Sequence, residues 1–349
     1  MKKTNIVAAS LIMLVGVQSS LSFGMESLSD EGLAGVAGQS LFTTNYVAPG
    51  GTNPNPNVGF YRLGVEAKME INANIDKLRL GCDGANGTGV CDVSIDRLRL
   101  TGLAGTHASD SGPPTDFLLN QPFFEFAIKN PTNAATREVV GIRFGALESL
   151  GAMTMGENTN LTSLADDTGI NTISGSMTAN VINATMTNVC ATLFGLCTLY
   201  GSATVANFSQ LITLNRATTI ADLGPMTAVA SSSLLGLTLT DTHIVNLPLK
   251  TIHRIEVRNP DGTPTKDFFL STQSQAINWQ KSSDGSFTGV SAQSGWWMSL
   301  PQVVMPNITS DSLVKVGAVG AVFNARVNIP GIDLGQRPVD NCWGASPFC

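Results

Sequence analysis

The stretch Asn74-Ile75-Asp76-Lys77-Leu78-Arg79-Leu80 returns twenty positions later as Ser94-Ile95-Asp96-Arg97-Leu98-Arg99-Leu100. Between the copies lies Gly81–Asp92, rich in glycine and carrying Cys82 and Cys91 near its two ends. Glycine and asparagine tolerate positive φ at little cost, so this insert reads as a loop. The copies are short and half apolar, and they read as two strands. A strand, a cysteine-closed loop and a related strand set the expectation for the whole chain. It is all-β, with many short strands in a large sandwich or a β-solenoid-like sheet stack, punctuated by glycine and preceded by a short N-terminal helix.

The first residues carry a different signal. Met1-Lys2-Lys3, an apolar run from Ile6 to Val17 and Ser22-Phe23-Gly24 form the three parts of a secretory signal peptide over residues 1–24. The apolar run is too short to span a bilayer comfortably, and no later stretch offers about eighteen uninterrupted apolar residues, so no transmembrane helix is expected after signal removal. Removing Lys2 and Lys3 takes the formal net charge from −6 to −8. An acidic chain is a poor partner for nucleic acid. Charged residues make up only 13% of the sequence, which suits strands that pack against neighbours rather than a heavily solvated surface.

In an exported chain, cysteine spacing becomes informative. Six cysteines allow fifteen connectivities. They fall as three sequence-local pairs, Cys82 with Cys91, Cys190 with Cys197 and Cys342 with Cys349, and three local disulfides are the simplest arrangement. The spacings are not those of a zinc site.

Five segments follow: the signal peptide, a helical segment over 25–42, a linker over 43–58, a β-domain over 59–329 and a stapled tail over 330–349. In the helical segment Ser27 is placed to cap, Asp30 and Glu31 sit where the helix dipole favours acids, and Gly38 supplies a stop. Pro49, Gly50, Gly51 and the Asn-Pro alternation of residues 53–57 give the linker little capacity for regular structure. Phe123–Lys129 and Glu138–Phe144 read as a hairpin turning around Asn130-Pro131-Thr132-Asn133.

The pattern Met25-x-x-Leu28-x-Asp30-x-x-Leu33-x-x-Val36-x-Gly38-Gln39, directly after a signal peptide, resembles the start of exported Gram-negative pilus-system proteins of the Fil type. The blocks Phe123–Asn130 and Thr136–Gly145 are similar to the same group. The resemblance implies association with the envelope or an appendage and carries no active site. Met25, Leu28, Asp30, Leu33, Val36, Gly38 and Gln39 then form a candidate docking segment.

No other constellation nominates chemistry. Asp83, Asn86 and Asp92 could offer oxygen to calcium, but their spacing is not that of an EF-hand, and side chains bonding their own loop backbone explain them better. His107, His243 and His253 are scattered, and no nucleophile elbow, Walker loop or dinucleotide fingerprint occurs. No catalytic residue, metal site or cofactor is expected. Trp296-Trp297 is a candidate contact pair, set against the reading that one of two adjacent strand residues faces inward.

Two functions are carried forward. The first is a non-enzymatic structural or adhesive component of a pilus-like surface appendage or envelope complex, located in the periplasm, outer membrane or cell surface. Its partners would be other envelope or pilus-system proteins, including copies of itself. The alternative is an outer-membrane β-barrel channel or transporter, against which stand only three tyrosines and four tryptophans for two aromatic girdles.

Overall fold

The computed structural model describes residues 41–84, 86–103, 115–158, 163–232, 236–306, 308–317, 326–336 and 338. The signal peptide, the docking segment Met25–Gln39, His107 and the Cys342–Cys349 pair lie outside these residues.

The described chain is almost entirely strand. In order, the strands are β1 (Phe42–Val47), β2 (Val58–Val65), β3 (Lys68–Ile71), β4 (Ala73–Leu80), β5 (Val93–Thr101), β6 (Phe117–Lys129) and β7 (Glu138–Thr154). Then come β8 (Ile170–Ile182), β9 (Ala184–Leu193), β10 (Leu196–Val205), β11 (Phe208–Thr218), β12 (Ile220–Ser232) and β13 (Gly236–Pro248). The last are β14 (Arg254–Val257), β15 (Thr265–Gln273), β16 (Gly295–Pro306), β17 (Thr309–Ser310), β18 (Val314–Gly317) and β19 (Val327–Pro330). Two single 3-10 turns, Leu164–Asp166 and Leu249–Thr251, interrupt them.

The repeated segments pair with each other as β4 and β5, antiparallel, with Asn74 opposite Arg99 and Leu80 opposite Val93. The expected hairpin forms as β6 and β7, joined at Lys129 and Glu138, with Asn130 at φ 48° where its short polar side chain tolerates the left-handed region. Several strands run longer than their glycines suggest. β7 spans 17 residues and β8 spans 13. Gly175 lies inside β8 because a Cβ there would collide with the Met298 carbonyl oxygen of the neighbouring strand β16.

The stretch expected as a linker, 43–58, is corrected. Residues 42–47 form β1, an edge strand running antiparallel to β2 with Tyr46 opposite Tyr61. The Asn-Pro alternation that follows is pinned as well. Asn53 donates to the Val58 carbonyl at 2.7 Å, and Asn55 exchanges two hydrogen bonds with the Asn278 backbone, both at 2.8 Å. Asn53 and Asn55 are buried, so side chains supply the regularity that the prolines deny the backbone.

The strands form a twelve-stranded and a seven-stranded sheet. Within the first, β5, β7, β14 with β15, β16 and β8 close on one another as a ring. β14 and β15 occupy one position in that ring: both run antiparallel to β7, along Thr154–Gly151 and then Ser149–Gly141, with residues 258–264 looping out between them. The second sheet runs β17-β9-β10-β12-β13-β19, with β18 also on β9, and its C-terminal strands join parallel to β9 and β13.

One apolar core joins the sheets. Ile95, Met153, Ile173 and Leu300 from the ring pack in the same cluster as Met186, Leu223, Leu239 and Ile329 from the second sheet. A smaller core of Phe60, Val140, Phe269, Ile277, Trp279 and Trp297 lies beneath the excursion 274–294, which covers one face of β2, β6 and β7. The architecture is sandwich-like with a closed corner. Parallel pairing is confined to β8 with β16, β9 with β17 and β18, and β13 with β19, so no coil-on-coil stacking of a solenoid develops among the described residues.

Candidate functional site

The expected disulfides at Cys82–Cys91 and Cys190–Cys197 are formed. The first closes the β4–β5 loop, whose acidic side chains are spent on the protein itself. Asp83 accepts from the Gly89 amide at 2.6 Å, and Asp92 accepts from Asn86 and from the Trp296 amide, the latter at 2.7 Å. Asp92 is buried and holds the loop against β16. Among the described residues no group of three His, Cys, Asp or Glu side chains is placed to hold a metal.

Trp296 and Trp297 are not an exposed platform. Trp297 is 1% exposed and belongs to the smaller core, while Trp296 is half-buried against the main one. The alternation of β16 sends adjacent side chains to opposite faces, and both faces are covered here. His243 pairs with Asp241 at 2.6 Å between Nε2 and Oδ1. His253 is buried: its Nδ1–H donates to the Met155 carbonyl at 3.0 Å, and its Nε2 lies 3.9 Å from the buried Asp167 carboxylate. Burial pushes the His253 imidazole below its ordinary value, while burial pushes Asp167 up.

Two arrangements were not foreseen. The first is a charged knot under the 274–294 excursion. Glu125 on β6 accepts from Arg143 on β7 at 2.6 Å and from Arg62 on β2 at 2.9 Å. Both guanidiniums also donate to the Gln280 carbonyl. Arg143 lies over the rings of Phe123, Phe269 and Trp279 at 5.0–5.1 Å. Complete burial pulls its pKa down to about 10, against the opposing pull of Glu125, and the group stays charged at neutral pH. The sequence did not signal it: Phe124 and Phe126 form the more apolar alternating set, and the structure buries Glu125 on the opposite face between Phe123 and Ala127.

Beside this knot is a cleft of about 430 Å³ between β8, β15, β16 and the 281–290 loop. Asp267, at φ 63°, accepts from the Ser282 and Ser283 amides and from the Ser283 hydroxyl, fixing the loop that forms one wall. Thr265 and Thr288 line the cleft with buried hydroxyls that have no protein hydrogen-bond partner, and Lys266 and Lys281 stand at its rim.

The second arrangement is the β9–β10 hairpin. From Thr168 to Asn215 the chain contains no Asp, Glu, Lys, Arg or His. The outward rung Thr309, Thr185, Thr204, Val229, Thr238 crosses five neighbouring strands of the second sheet without a charge. At the hairpin's end Phe194 and Gly195 both adopt positive φ, 50° and 81°, as a two-residue turn of the primed kind requires. Asparagine suits the first of these positions, and a bulky aromatic there is strained by about 1–2 kcal/mol. Phe194 is nevertheless 96% exposed, with Leu196 at 73% beside it. Cys190, wholly buried in its strand, ties the far leg of the turn through Cys197. The result is a braced apolar knob at the end of a hairpin that carries no charge of its own, with Lys315 on β18 beside it.

In comparison with known proteins, the chain matches no family model, no curated protein sequence and no solved structure.

Proposed function

We propose that this chain is a non-enzymatic structural or adhesive component of a bacterial surface appendage, pilus-like, or of an envelope complex. The observation that carries the reading is the Phe194 tip. An aromatic side chain held in a conformation it disfavours, exposed almost completely and braced by a disulfide, is kept there against the stability of the turn, and an intermolecular contact is the use that fits it. The uncharged threonine-bearing wall behind the tip adds neutral contact area, and the two formed disulfides support passage through an oxidising compartment, as does the signal-like N-terminus. The reading of the chain as an outer-membrane channel gains least from this architecture, because the ring strands send Met153, Ile173 and Leu300 into a filled core shared with a second sheet.

Shearing intact cells and separating sheared, outer-membrane and periplasmic fractions tests the reading. Surface-sheared or high-mass material is expected, and cells carrying Phe194→Asn should release or attach it less well. A heat-modifiable membrane band with nothing sheared, or a discrete soluble periplasmic species, would overturn it.

A further inference from the structure

The sheet β1-β2-β6-β7 has two faces, and among the described residues only one is covered. Phe60, Glu125 and Val140 point beneath the 274–294 excursion. The residues between them point the other way. One rung runs Tyr46, Tyr61, Phe126, Ile142 across the four strands, and the next runs Thr44, Leu63, Phe124, Phe144. Val139, opposite Ile128, extends the face at the β7 end. Phe144 turns toward the main core, but the others do not: Tyr46, Tyr61, Leu63, Phe124, Phe126, Val139 and Ile142 are 38–52% exposed. No charged side chain interrupts these rungs.

We infer that this face is an interface between two copies of the chain, packed sheet on sheet. The area is consistent with it. The exposures of these seven side chains amount to roughly 600 Å² a copy, so two copies together reach about 1,200 Å², the lower bound for a specific interface. The largest apolar patch on an ordinary monomer covers about 300–600 Å². A second copy is the occupant that matches in size and in chemistry. A face without charge meets itself without like-charge repulsion, and a twofold axis through it brings the same four strands together from both sides. Stacked sheets pack about 10 Å apart with their strands turned by about 30°. Such stacking interdigitates aromatic and aliphatic side chains of the kind found here. The inference rests on the structural role proposed above for its purpose, naming one partner as the chain itself, but the surface is read in solution independently of where the protein resides in the cell.

The test is sedimentation velocity of the processed chain, purified from an exporting host with its disulfides formed, from 1 to 100 µM. A dimer is expected, and Leu63→Lys or Phe124→Lys should raise its dissociation constant at least tenfold while Leu313→Lys, exposed but away from this face, leaves it unchanged. Val139→Lys, at the opposite corner, provides a second probe should either of the others unfold, with circular dichroism reporting the fold. A chain monomeric at 100 µM, or a dimer indifferent to all three substitutions, overturns the inference. So does a monomer that instead co-floats with phosphatidylethanolamine–phosphatidylglycerol vesicles, which would assign the face to lipid. A dimer together with a soluble periplasmic location would leave this interface standing and remove the proposed function, and a sheared monomer would do the reverse.

Discussion

Glu125 and Arg143 stand directly opposite each other on β6 and β7, each 1% exposed, with Oε2 and Nε 2.6 Å apart. A cross-strand pair so placed shares its carboxylate with Arg62, and both guanidiniums donate to the Gln280 carbonyl. The excursion 274–294 therefore closes over charge rather than over a purely apolar bed, and removing any member leaves the others buried without compensation.

Glu125→Ala should be the most damaging single substitution in this region. It strands two guanidiniums, one of them fully buried, and a loss of about 3–5 kcal/mol is expected in urea unfolding. Replacing all three together, as Arg62→Met, Glu125→Leu and Arg143→Met, should recover much of it, because apolar side chains of similar volume need no partner. A triple variant as unstable as the single one would show that the knot is not the source of the loss.

Phe194→Asn should separate stability from contact. The new residue tolerates positive φ, so unfolding stability is expected to hold or rise, by up to about 1 kcal/mol. Attachment to surfaces, read by cell adhesion or by retention on a hydrophobic column, should fall. Unchanged attachment would remove the tip from the function.

Cys190→Ser with Cys197→Ser should leave the fold in place. The bridge spans a sequence separation of 7, and short loops contribute on the order of 2–3 kcal/mol. Limited proteolysis is then expected to cut near Leu193–Leu196 more readily than in the parent.

Stability should fall as pH drops below about 6.5, through His253. Its folded pKa lies below the unfolded value, so the unfolded chain binds the extra proton and gains from acid until the folded pKa is passed. Asp167 carries the opposite sign. Its pKa is raised in the folded chain, which regains stability as pH falls through that raised value toward 3.8. His253→Gln should flatten the upper limb and leave the lower one. Thermal melts at half-unit pH intervals read both, and an unchanged upper limb would assign the acid sensitivity elsewhere.

Strand existence was legible in the sequence where alternation is strong. The β4–β5 repeat, the β6–β7 hairpin and two local disulfides all follow from residues thirty positions apart or fewer. What was hidden depends on distant partners. Asn55 reads as a linker residue until Asn278 meets it. Trp297 is one of two equivalent tryptophans until the excursion covers one side of its sheet. The exposed face escaped for the same reason: Phe124 and Phe126 alternate as any core strand does, and only the finished sheet shows which of its sides was left bare.

The parallel seats of β17 and β18 on β9, and of β19 on β13, carry a consequence in time. A chain threaded N-terminus first presents β9 and β13 well before their final neighbours have emerged. Until then both strands offer bare hydrogen-bonding edges to any other extended chain. The second sheet is therefore completed last, and holding those edges apart until then, whether by speed or by an escort, decides how much of the chain folds intact.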